Sequence, residues 1–209
     1  MKKLINLIVF ILIAGLNGWA QEATEVIRVA CVGNSITFGA GIANRDRDSY
    51  PSVLGQMLGR GYEVRNFGFS ARTMLMKGDH PYMKEQMFQD ALKYNPDIVV
   101  IKLGTNDSKS FNWKYKAELP GDIQTMINAF KAIPSKPTKP KIYLCYPPKA
   151  YQVQYSINDS IIEHGVIPVI DQVAKRNKLP VIDLHTALSG MKEHFPDNVH
   201  PDPVGAHKI

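Results

Sequence analysis

Five short runs rich in branched apolar residues recur along this chain: Val26 to Val32, Tyr62 to Asn66, Ile98 to Leu103, Lys141 to Cys145 and Val181 to Leu184. Each has the length of a strand, and the segments between them are long enough for helical crossovers. Such alternation predicts an α/β fold with a five-stranded parallel sheet covered by helices on both faces. Candidate helices lie at Tyr50 to Leu58, Pro81 to Tyr94, Asp122 to Ile133 and Ser156 to Asn177. Ser49 and Ser156 stand where N-caps belong, Gly59 follows the first helix, and Leu179-Pro180 follows the last. Pro134 to Pro140 carries three prolines and reads as a stiff surface connector into the fourth strand. With 209 residues, 44% of them hydrophobic, the chain has material for one core and needs no second domain.

In an open parallel sheet, functional groups collect where strands end at the carboxyl edge. Gly33-Asn34-Ser35 follows strand one, Phe67-Gly68-Phe69-Ser70 strand two, and Gly104-Thr105-Asn106-Asp107 strand three; the loop after strand five carries Asp197 and His200. A serine hydroxyl is a weak nucleophile until a base takes its proton, and a neutral imidazole is the usual base near pH 7. His200 can serve Ser35 in this way, with Asp197, three residues earlier, orienting the ring and stabilising the imidazolium. The Ser35 N–H, the Gly68 N–H and the Asn106 carboxamide can supply an oxyanion hole. Taken singly, each residue has a plainer reading. Ser35 is equally a helix cap, Gly68 a turn residue, the Gly104–Asp107 run a capped loop, and Asp197 with His200 a surface pair. Their joint occurrence, in order and on one edge, points to catalysis.

Among the other histidines, His185, two residues after Asp183, is the nearest rival and His194 shares the loop of His200; His80, His164 and His207 have no comparable carboxylate spacing at a strand end. No pair of them marks a helix face suited to a metal, and Cys31 and Cys145 lie far from ligand spacing, so no metal or other cofactor is expected. Both cysteines sit in apolar strand-like runs, which predicts buried free thiols. Lys2 and Lys3 precede the apolar run Leu4 to Leu16, and Gly18-Trp19-Ala20 offers small residues at a cleavage site. Residues 1–20 therefore read as a secretory signal and residues 21–209 as the exported domain, secreted or periplasmic, with no membrane anchor after cleavage. Without the two lysines the formal charge of +6 falls to +4, too mild and too scattered for a nucleic-acid partner.

The set Ser35, Gly68, Asn106 within Gly104-Thr-Asn-Asp107, and His200 within Asp197-x-x-His200 resembles the SGNH hydrolase superfamily, also called GDSL-type esterases, over nearly the whole exported segment. That resemblance implies a flavodoxin-like three-layer α/β/α sandwich and ester hydrolysis through an acyl-serine, without a metal. Asn34 departs from the aspartate many members carry before the serine, outside the four marker positions. Asp202 and Pro203 begin a closing helix that stops at Ile209, short or truncated beside other members, so a loosely held His200 loop is expected.

Arg72 and Lys77 after the Gly68 loop, and Lys109, Phe111, Trp113 and Tyr115 after Asn106, read either as ordinary surface loop residues or as the rim of the site, with Arg72, Lys109 and Trp113 as candidate substrate contacts. Basic and aromatic groups suit a sugar, whereas a lipase wants a long apolar groove. The sequence thus favours a serine esterase removing short acyl groups, acetyl foremost, from a small-molecule or glycan ester. Its rivals are a lysophospholipase or thioesterase, and a catalytically silent glycan-binding protein.

Overall fold

A computed structural model describes residues 25–134 and 138–209. The secretory-signal segment, residues 1–20, and the middle of the proline-rich connector lie outside the described residues. The sheet consists of β1 (Ile27–Gly33), β2 (Tyr62–Gly68), β3 (Ile98–Lys102), β4 (Lys141–Tyr146) and β5 (Val181–Asp183), all parallel in the order β2-β1-β3-β4-β5. The order reverses at β1, whose neighbours β2 and β3 are each reached by a crossover. That reversal opens a crevice at the carboxyl edge between β1 and β3.

Helices α1 (Ser35–Phe38), α2 (Tyr50–Leu58), α3 (Gln86–Lys93), α4 (Leu119–Lys131), α5 (Ile167–Asn177), α6 (Leu184–Ala187) and α7 (Pro203–Lys208) cover the sheet. The period of two along β1 sorts its side chains between layers. Ala30 and Val32 join a large core with Phe88, Phe130, Ile123, Ile170 and Val173 from α3, α4 and α5. Val29 and Cys31 turn the other way, against Tyr50 and Leu54 of α2, with Ile209 beside them. This is the predicted three-layer arrangement. Both cysteines are buried thiols; burial pushes Cys145 up to about 12 and Cys31 further still.

The helix expected from Asp122 to Ile133 runs from Leu119 to Lys131, and two other boundaries differ more. The predicted helix from Pro81 to Tyr94 is broken at extended Glu85, whose carboxylate is held by Arg72 at 2.8 Å, so a single turn over Tyr82–Lys84 precedes α3. The helix placed at Ser156 starts instead after Asn158, whose side chain accepts the Ile161 N–H; a π-helical stretch over Ile162–Val166 then leads into α5. Gly165 in that stretch lies against the Trp113 indole, where a Cβ would come within 2.3 Å of the ring.

On the α2 side an apolar cavity of about 250 Å³ lies among Val53, Leu54, Met57, Val100, Ile182 and Ile209. None of Ser35, Gly68, Asn106, Asp197 or His200 lines it.

Candidate active site

The turn after β1 is built by Asn34. Its buried side chain accepts the Ile36 N–H at 3.2 Å and so caps α1, which leaves Ser35 as the first helical residue with its hydroxyl free for other use. Asn34 Oδ1 also accepts the Lys102 ammonium at 2.7 Å, from the end of β3. Lys102 is fully buried, and that desolvation lowers it to about 7. The amide nitrogen of Asn34 is buried without a partner.

Register brings the strand ends together. Gly33 pairs with Gly68 on one side and with Lys102 on the other, so the loops carrying Ser35, Gly68 and Asn106 leave the sheet at one level. Gly68 lies against α1 so closely that a Cβ would meet the Phe38 nitrogen at 2.1 Å, and its N–H donates to Asn66 Oδ1 at 2.8 Å. The Asn66 amide in turn donates to the Thr37 carbonyl at 2.8 Å, tying β2 to α1.

Asn106 is buried, and its carboxamide donates one hydrogen to the Arg72 carbonyl at 3.0 Å; a second remains. Next to it, Asp107 accepts the Met74 N–H at 3.0 Å and the Leu75 N–H at 2.7 Å, binding the loop after β2 to the loop after β3. Burial raises Asp107 to about 6 even though these N–H groups favour its anion.

Between Phe195 and Pro201 the chain makes a tight loop in which Asn198 takes a left-handed conformation, φ +68°. Asp197 Oδ1 accepts the backbone N–H of Val199 at 3.0 Å and of His200 at 2.6 Å, while its Oδ2 accepts the His200 ring Nδ1–H at 2.6 Å. With the ring proton drawn to Nδ1, Nε2 is left as the acceptor, and it takes the Ser35 hydroxyl at 2.7 Å. Burial acts to raise the Asp197 carboxyl, but hydrogen bonds from His200 and Val199 outweigh it and hold the group below its usual value. Serine, imidazole and carboxylate thus form one continuous relay.

The relay's loop is firmly anchored, contrary to the expectation drawn from the short final helix. Asp202 caps α7 through the Gly205 N–H at 2.9 Å and pairs with the His194 ring at 3.1 Å. Asn198 accepts the Tyr151 N–H at 3.0 Å, and Val199 packs with Ala150, Ile157 and Ile162.

The rival histidine, His185, instead sits 3.3 Å from Asp159. Asp159, Glu163 and His185 bring ligand-type atoms within 4.8 Å of one another, but the Asp159 carboxylate already holds the Lys149 ammonium at 3.2 Å and the Ala150 N–H at 2.8 Å. The three candidate substrate contacts each have an internal partner. Arg72 bridges to Glu85 and lies over the Phe69 ring, Lys109 is buried 3.6 Å from Asp79, and Trp113 packs on Gly165. Sequence reasoning passed over Lys102, although a charge closing an apolar strand was a visible signal. It also passed over Tyr155, for which the local sequence held none.

An acetylxylan esterase of Xylanibacter ruminicola is 45% identical, in a match that takes in 95% of this chain and 45% of that protein. The chain therefore spans just under half the length of this relative. The native aryl esterase of M. smegmatis superposes with a TM-score of 0.71 at 20% identity, covering 88% of this chain and 94% of the other. A carbohydrate acetylesterase of Sinorhizobium meliloti gives 0.72 at 18% identity over 87% and 94%, and the lipase/acylhydrolase of Enterococcus faecalis 0.70 at 24% over 87% and 90%. At such identities these structures establish a shared fold. Residues 31–208 match the GDSL-like lipase/acylhydrolase family, a span that runs from the strand leading into Ser35 to the helix following His200, and the chain belongs to that family.

Proposed function

We propose that this chain is a serine esterase that removes short acyl groups, acetyl foremost, from a sugar or polysaccharide. The observation that carries the reading is the unbroken relay of 2.7 Å from Ser35 Oγ to His200 Nε2 and 2.6 Å from His200 Nδ1 to Asp197 Oδ2. Ser35 Oγ attacks the ester carbonyl carbon while His200 Nε2 takes its proton. The tetrahedral oxyanion is met by the Ser35 N–H and the remaining Asn106 amide hydrogen. The Gly68 N–H is a third donor, shared with Asn66 Oδ1. Collapse expels the sugar oxygen, which leaves as a hydroxyl with the proton from His200. Water, deprotonated by His200, then attacks the acyl-serine and releases the carboxylic acid and free Ser35.

An acetyl-sugar substrate is supported by the likeness to an acetylxylan esterase, in a match that takes in 95% of this chain. Arg72, Lys109 and Trp113, each with an internal partner, act in this reading by shaping the loops that face the substrate. Export rests on the pattern of residues 1–20, and among the described residues no helix is long and apolar enough to cross a membrane.

The test is hydrolysis of p-nitrophenyl acetate, butyrate and octanoate, and acetate release from acetylated xylan, by the wild type, Ser35→Ala and His200→Ala. Acetate esters should turn over fastest, and each variant should lose at least about a thousandfold in kcat. A preference for octanoate would move the reading to lipid esters. Silence on all four substrates from folded protein would leave the glycan-binding alternative.

A further inference from the structure

Tyr155 stands beside the relay on a turn that tyrosine does not favour. The Gln154 carbonyl accepts the Ile157 N–H at 2.9 Å, and the two residues between them both have positive φ, +53° at Tyr155 and +62° at Ser156. Positive φ at both central positions defines a mirror-image turn, the preserve of glycine, asparagine and aspartate, and a bulky side chain there is held against its preference. The surroundings impose it. Ile157 is buried in the same apolar cluster as Val199, and the Asn158 N–H donates to Ser108 Oγ at 3.1 Å, fixing the turn to the loop that carries Asn106.

The tyrosine hydroxyl donates to Asp197 Oδ2 at 3.2 Å, the same oxygen that receives the His200 ring proton, and the two rings lie 5.8 Å apart, centre to centre. Asp197 therefore has four donors: two backbone N–H groups on Oδ1, and imidazole and phenol on Oδ2. The phenol supplies the one donor that does not come from the carboxylate's own loop, and its sequence separation from Asp197 is 42 residues. Tyr155 is nevertheless 55% exposed, so burial of its ring does not explain why the turn keeps it. Backbone strain retained at an exposed residue beside reacting groups is the signature of a positioning device.

We propose that Tyr155 is a positioning residue of the hydrolase: from a strained turn it fixes the Asp197 carboxylate, and through it the tautomer and tilt of His200. The proposal rests on the ester-hydrolase reading of the same site. Tyr155→Phe removes the hydroxyl and keeps the ring and the strain; Tyr155→Gly removes the side chain and relieves the strain. For both, kcat and KM on p-nitrophenyl acetate, the thermal midpoint, and ¹⁵N spectra of the His200 ring are measured beside the wild type.

In Tyr155→Phe we expect kcat to fall about tenfold with KM unchanged and the midpoint lowered by no more than about 4 °C, the effect of losing a partly exposed hydrogen bond to a charged group. Tyr155→Gly should lose at least as much kcat while its midpoint rises by roughly 2–4 °C. The ¹⁵N shifts of the His200 ring should change in both. Three results overturn the proposal: wild-type kcat in Tyr155→Phe, a loss confined to KM, or a Tyr155→Gly variant that loses midpoint and activity together, as a purely structural residue would. Should the wild type hydrolyse no ester, the ring spectra decide alone. A shift in Tyr155→Phe then upholds the positioning role while the ester reading fails, and an unchanged ring removes the positioning role as well.

Discussion

Lys102 shows how one residue ties the chemistry of the site to the stability of the fold. Its ammonium is buried with a neutral amide as its hydrogen-bond acceptor, and its value falls from 10.5 to about 7. Between those values the unfolded chain holds one more proton than the native one, so stability rises with pH from about 7 to 10.5. Lys102→Met should remove that rise, on the order of 5 kcal/mol, and should be the more stable protein at pH 7 and below; urea unfolding at several pH values checks it. Asp197→Asn keeps the shape of the relay but lets the ring adopt the wrong tautomer, and kcat should drop about 10⁴-fold with little change in midpoint. At this scale the relay itself was legible, because aspartate and histidine three apart need one loop and a serine after an apolar run needs one turn. The surroundings of Arg72, Lys109 and Trp113 were not legible. Their partners Glu85, Asp79 and Gly165 lie 13 to 52 positions away, so nothing in the local sequence marks them as engaged.

Among the elements, the contact of β2 with α1 is a tight constraint set by backbone against backbone. Gly68→Ala would force a Cβ to within 2.1 Å of the Phe38 nitrogen, so α1 must move and carry Ser35 with it. We expect a loss of stability of about 2 kcal/mol or more together with a fall in kcat of at least about tenfold, read by thermal unfolding and ester kinetics on one sample. Glycine is required at this position by the close passage of a helix backbone. Strands were readable to within two residues at each end, because runs of branched apolar residues suit the interior of a parallel sheet and little else. Helix starts were less so. Ser156 has the chemistry of a cap, yet it occupies a left-handed turn and Asn158 caps the helix instead. Glu85 fits a helix by propensity, and its long-range ion pair with Arg72 holds it extended.

For the molecule as a whole, the relay closes across 165 residues, from the first strand to the loop before the last helix. That closure depends on the His200 loop staying docked, and the His194–Asp202 pair is one of its clamps. His194→Ala should weaken the docking by roughly 1 kcal/mol, so that activity is lost on heating a few degrees before the circular-dichroism transition, where the wild type loses both together. The amino-acid sequence by itself determined the class of fold, the strands and which side chains were candidates for the relay, because hydrophobic period and short-range spacing are local properties of the chain. The tertiary structure alone decided that Gly33, Gly68 and Lys102 lie side by side in the sheet, that Lys102 is desolvated against Asn34, and that Tyr155 reaches Asp197. Each of these follows from strand register and loop docking between distant segments, and contacts of that kind are set by the packing of the whole core.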